Sequence, residues 1–144
     1  MTLPSRISFA TLGVSDVEAA AAFYERLGWG RSPASVPGEV AFFRLGANVL
    51  SLWGAGDLAT DAGLPAAAPP PYRGVSLSVN VETEAAVDAA LATAAEAGAT
   101  ILKPGFRADW GGYMGYFADP DGNLWEVAYN PGMPLDEHGI PQLP

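Results

Sequence analysis

From Leu124 to Tyr129 the chain reads as an apolar strand interrupted by one carboxylate, with successive side chains on opposite faces. Leu124, Glu126 and Ala128 face one way, and Trp125, Val127 and Tyr129 the other. A second strand-like run, Tyr113 to Phe117, precedes Asp119-Pro120-Asp121-Gly122, so the pattern predicts a hairpin closed by a tight turn. Proline presets φ there, aspartates bond back to the turn backbone, and glycine accepts a left-handed conformation. A carboxylate inside an otherwise apolar strand needs a cavity, a metal or a partner. Glu126 is therefore the first candidate for chemistry.

The same patterning divides the chain into two copies of one plan. Ile7 to Val14 reads as a strand, and Ser15-Asp16-Val17-Glu18 as a capping box that opens a helix. That helix carries Val17, Ala20, Ala21, Tyr24 and Leu27 at helical spacing and stops at Gly28. Val40 to Leu45 and Asn48 to Trp53 follow as strands around Gly46-Ala47, with Trp29 to Ser32 the candidate for a further one. In the second copy Val75 to Val81 is a strand, and Thr83 caps an alanine-rich helix from Glu84 to Ala97 that Gly98 ends. Thr100 to Lys103 is a short strand, and the hairpin of Tyr113–Phe117 and Asn123–Tyr129 completes the copy. The expected organisation is a first module over 1–54, a proline-rich linker over 55–73, a second module over 74–130 and a tail over 131–144. Pro65 and Pro69-Pro70-Pro71 exclude a helix or central strand where they fall.

Strand faces then nominate site residues. In Val75–Val81 the odd positions are apolar and should pack on the alanine-rich helix, leaving Ser76, Ser78 and Asn80 on the other face. Those three line a cleft if both modules wrap their sheets with helices outside, or face solvent if the sheet is open. By the same logic Leu50 and Leu52 meet the first helix, while Val49, Ser51 and Trp53 face the cleft.

Composition narrows the function. A hydrophobic content of 49% is enough for a real core, and 16% charged residues leave a sparsely charged surface. The net charge of -9, with no basic cluster, excludes nucleic acid and anionic membrane as partners. The absence of cysteine removes disulfides, thiolate nucleophiles and thiolate metal sites. The N-terminal residues lack the basic start and apolar run of a signal peptide, and no stretch approaches the roughly 18 apolar residues of a membrane span. A cytoplasmic location is expected. The sole histidine, His138, lies in the tail and receives no catalytic role.

The Val14-Ser15-Asp16 junction, the helix end Phe23-Tyr24-Glu25-Arg26-Leu27-Gly28-Trp29, Ala97-Gly98-Ala99 and the run Asp119 to Val127 together resemble a known superfamily. It is the glyoxalase/bleomycin-resistance/dioxygenase group, also called vicinal oxygen chelate, and the resemblance runs from about Ile7 to Pro131. It implies an α+β fold: two βαβββ modules with curled mixed sheets around a small-molecule cleft, helices outside, usually in a homodimer. Metal enzymes of the group hold a divalent ion with side chains from four strands. Carried over, those positions fall at Phe9, at Ser51, at Ser76 or Ser78, and at Glu126. Phenylalanine cannot ligate and neutral serine hydroxyls are weak ligands, so no metal or other cofactor is expected.

Phe9, Trp53, Trp110 and Tyr113 or Tyr116 remain as aromatic candidates for ligand contact, with Ser51, Ser76, Ser78 and Asn80 as neutral hydrogen-bonding groups. Glu126 supplies the charge, or else holds Asn80, a nearby hydroxyl or Arg107 in a structural role. Trp125, on the opposite face, is assigned to the core. The loop Arg107–Gly112 has the composition of a lid. The expected function is metal-free binding of a small molecule, such as sequestration of an aromatic or cationic compound. The alternatives are a glyoxalase-like lyase or isomerase or a ring-cleaving dioxygenase, with a divalent metal or with Glu126 as base, and a partner-binding module.

Overall fold

A computed structural model describes residues 2–144, which fall into two compact units, one ending at Ala67 and the other spanning Ala68–Pro144. The first contains β1 (Phe9–Val14), α1 (Val17–Arg26), β2 (Val40–Leu45), β3 (Asn48–Gly54) and α2 (Ala55–Asp61). The second contains β4 (Leu77–Asn80), α3 (Glu84–Ala97), β5 (Thr100–Arg107), β6 (Tyr113–Ala118) and β7 (Leu124–Tyr129). The fold is α+β, with one three-stranded and one four-stranded mixed sheet.

In the first unit the strands run in the order β1-β3-β2, β1 parallel and β2 antiparallel to β3. The α1 helix lays Ala20, Ala21, Phe23 and Tyr24 on Ala41, Phe43, Leu50 and Leu52, and all eight are buried. Each large side chain so buried contributes about 1.5–3 kcal/mol. The helix begins one residue later than the capping box implied. Asp16, not Ser15, is the N-cap, its carboxylate accepting from the Ala19 amide at 2.9 Å. Glu18 is then free of the box and binds Arg31 at 2.8 Å and the Gly38 amide at 2.8 Å. The further strand at Trp29–Ser32 is reduced to a single bridge, Arg31 to Phe43.

Part of the expected linker is helical. The seven residues of α2 follow β3 directly and pack at Gly13, where a Cβ would stand 3.1 Å from the Ala55 Cα. Gly13 is in register with Trp53, so α2 covers one end of the sheet face that α1 leaves open.

The second sheet has the order β4-β7-β6-β5. Thr83 caps α3, accepting from the Ala86 amide at 3.0 Å, and Gly98 ends it at φ 108°. The helix buries Val87, Leu91, Ala94 and Ala97, while Phe117, Trp125 and Val127 are buried on the sheet, with Phe117 and Trp125 stacked at 6.2 Å. The β5 strand runs on to Arg107, past the expected end at Lys103, because register shifts absorb Pro104 and Gly105. The turn before β7 is locked by the buried Asp119 carboxylate. It accepts from the amides of Asp121 at 3.0 Å and Asn123 at 2.8 Å, and from Asn123 Nδ2 at 2.8 Å. Arg73 clamps the same turn, donating to Asn123 Oδ1 at 2.7 Å and to the Asp121 carbonyl at 2.5 Å.

Candidate functional site

Strand register assembles the site on the face of the second sheet opposite α3. Ser78 of β4 lies opposite Glu126 of β7, and Glu126 lies opposite Tyr116 of β6. Directly paired residues stand side by side on one face. The half-buried carboxylate therefore collects both neighbours, Oε1 accepting from Ser78 Oγ at 3.2 Å and Oε2 from the Tyr116 hydroxyl at 2.7 Å. Glu126 thus holds hydroxyls, while Arg107 pairs with Glu84 at 2.8 Å. The bond to Glu126, reinforced by burial and by the carboxylate charge, pushes the Tyr116 pKa up to about 12. A charged carboxylate stabilises the neutral phenol that donates to it.

A carboxylate has about four acceptor positions. Two are used here, so each oxygen keeps capacity for one donor from a ligand. The next register line supplies an apolar floor, with Asn80 opposite Ala128, Ala128 opposite Met114 and Met114 opposite Phe106. Ala128 and Met114 are buried. Asn80 closes that line, and Ser76, exposed, lies just before β4.

Tyr113 is on the other face. It is three residues from Tyr116, and strand alternation turns it toward α3, where it donates to Asp88 at 2.8 Å and is pushed up in pKa by that bond. Trp110, 56% exposed, lays its ring over Gly112 of its own loop. That loop is closed by bonds from the Ala108 amide to the Gly112 carbonyl at 2.8 Å and from the Gly111 amide to the Ala108 carbonyl at 3.0 Å.

The first-unit candidates share the sheet face away from α1. Ser51 is buried between Thr11 and Phe42 in register, and Phe9, 56% exposed, meets Phe42 edge-on at 6.1 Å. Trp53 borders a surface pocket of about 430 Å³ with Gly38, Glu39, Asp57, Thr60 and Asp61.

Two residues on the Glu126 face escaped the sequence reading. Lys103 lies opposite Tyr116, and its ammonium sits 3.7 Å from the centroid of the Phe106 ring. The irregular register of β5 hides both from a strict alternation, and only a bulge at Pro104-Gly105 would have signalled them.

The profile of the Glyoxalase/Bleomycin resistance protein/Dioxygenase superfamily matches residues 6–127. Among solved structures, a glyoxalase-related enzyme from Fulvimarina pelagi is 33% identical, covers 97% of this chain and 99% of its own, and superposes with a TM-score of 0.87. A glyoxalase/bleomycin resistance protein/dioxygenase from Nocardioides is 28% identical over 90% of this chain and 85% of its own, with a TM-score of 0.74. Lactoylglutathione lyase from Agrobacterium tumefaciens is 27% identical over 89% of this chain and 96% of its own, with a TM-score of 0.68. No curated protein gives a significant match. The order of elements, the locked turn before β7 and the profile match agree: the chain belongs to the glyoxalase/bleomycin-resistance/dioxygenase superfamily.

Proposed function

We propose that the protein binds a small molecule bearing a cationic or hydrogen-bond-donating group, which Glu126 receives, and that it does so without a resident divalent ion. The observation that carries this reading is the Ser78–Glu126–Tyr116 array on the face opposite α3, with acceptor capacity left on both carboxylate oxygens. The donor chemistry at the positions where metal relatives hold their ion does not suit a metal. Phe9 has no donor atom, Ser51 is a neutral hydroxyl, and the Ser78 hydroxyl already donates to the only carboxylate of the set.

A second reading, a lyase or isomerase, is favoured by the relatives from Fulvimarina pelagi and Agrobacterium tumefaciens, the one described as a glyoxalase-related enzyme and the other as a lactoylglutathione lyase. One experiment separates the two. Phenethylamine is titrated into the protein, into Glu126→Gln and into Tyr116→Phe by intrinsic fluorescence, beside an assay of thiol–oxoaldehyde adduct conversion with and without added divalent salts. Saturable binding that weakens about tenfold in Glu126→Gln, as loss of a charged hydrogen bond predicts, with no turnover, supports binding. Equal affinity in the variant removes Glu126 from the site, and metal-dependent turnover replaces the proposal with the enzyme.

A further inference from the structure

Lys103 is the only lysine in the chain, and its register completes a line across all four strands of the second sheet: Ser78, Glu126, Tyr116, Lys103. Its side chain shares their face, because the ring it covers belongs to Phe106, which is opposite Met114 on that face. The line thus presents a carboxylate on β7, a phenol ring on β6 and an ammonium on β5. Among the described residues no carboxylate lies within ion-pair distance of Lys103, whereas Arg31 and Arg107 both pair with acids. The ammonium is positioned by an aromatic ring and keeps its hydrogen-bonding protons for another partner.

Spacing decides what that partner can be. Neighbouring strands are about 4.8 Å apart, so the β5 and β7 backbones at this level are separated by about 10 Å. Tyr116 stands between the two charges. We propose that this line receives an amphoteric ligand of the ω-amino acid class, its ammonium on Glu126, its apolar stem across Tyr116 and its carboxylate on Lys103. The proposal rests on the ligand-binding reading of Glu126 and names the class of molecule. A simple amine satisfies Glu126 and leaves Lys103 unmatched. In an α-amino acid the two charges lie too close together to reach both residues.

The test is a nuclear magnetic resonance titration of the full chain with glycine, γ-aminobutyrate, ε-aminocaproate and hexylamine. We expect ε-aminocaproate to bind up to about fivefold more tightly than hexylamine, the upper end for an exposed ion pair, and glycine to bind most weakly. Lys103→Met should abolish that preference, and Lys103→Arg should retain it. Equal affinity for hexylamine and ε-aminocaproate, or a preference that survives in Lys103→Met, overturns the proposal and leaves the Glu126 reading intact. Failure of every amine to bind overturns both.

Discussion

The phenol of Tyr116 donates to Glu126 at 2.7 Å, and this contact is the largest cause of the phenol's raised pKa, ahead of burial. A free tyrosine titrates near pH ~10, while Tyr116 is pushed up to about 12. Its stabilising effect is complete below the unfolded value. From pH ~10 upward the unfolded chain releases a proton that the folded chain retains, so stability declines until the folded group also titrates. Tyr116→Phe should therefore flatten the loss of stability between pH ~10 and pH ~12, measured by denaturant midpoints across that window. Glu126→Gln should return the latest phenolate absorbance phase toward the ordinary tyrosine range. Period-two alternation made Glu126 and its serine neighbour readable in the sequence, because burial and strand geometry already dictate which residues share a side. It also separates Tyr113 from Tyr116, one toward α3 and one away. Lys103 was not readable, since the irregularities of β5 shift it out of any regular pattern.

At the scale of elements, the helices whose ends carry strong local signals were the most legible. Thr83 and Gly98 bound α3 as their chemistry requires, and Thr83→Ala should cost about 1 kcal/mol, read as a lower denaturant midpoint at unchanged slope. For α1 the signal was degenerate, because Ser15 and Asp16 can both cap. The structure selects Asp16, which leaves Glu18 to hold Arg31 and Gly38. Asp16→Ala should accordingly lose about 1 kcal/mol, read as a lower denaturant midpoint. The α2 helix was illegible for a different reason. Seven residues without a side-chain cap or a buried position display no periodicity, and its packing at Gly13 is a tertiary contact. The second-sheet hairpin was readable because its turn is specified locally, by Asp119 bonding two amides within four residues.

Across the whole molecule, the repeat of strand, helix and hairpin was evident from pattern alone, and each unit has its own buried core. The net charge of -9 adds a long-range property that no single residue carries. Cations are drawn to such a surface and the attraction is screened by salt, with a Debye length of about 30 Å at 0.01 M and about 8 Å at 0.15 M. A cationic probe should thus associate more slowly as ionic strength rises while its dissociation rate changes little, which stopped-flow fluorescence measures directly.

The clamped turn before β7 also bears on how the protein ages. Asp121-Gly122 is a bond of the kind that isomerises when the glycine nitrogen attacks the aspartate side chain, inserting a methylene into the main chain. Here the Gly122 amide is tied to the Asp119 carbonyl at 2.9 Å and the Asp121 carbonyl to Arg73, so this one peptide group is held at both its N–H and its C=O and resists the rotation that attack requires. Arg73→Ala should accumulate isoaspartate at Asp121 faster on prolonged incubation, as peptide mapping would record. Because β7 starts at Leu124, each such event would lengthen the backbone just before the strand that carries Glu126. Arg73 would thereby act as a preservative of this strand, bearing on how long a molecule keeps its register rather than on what the strand does.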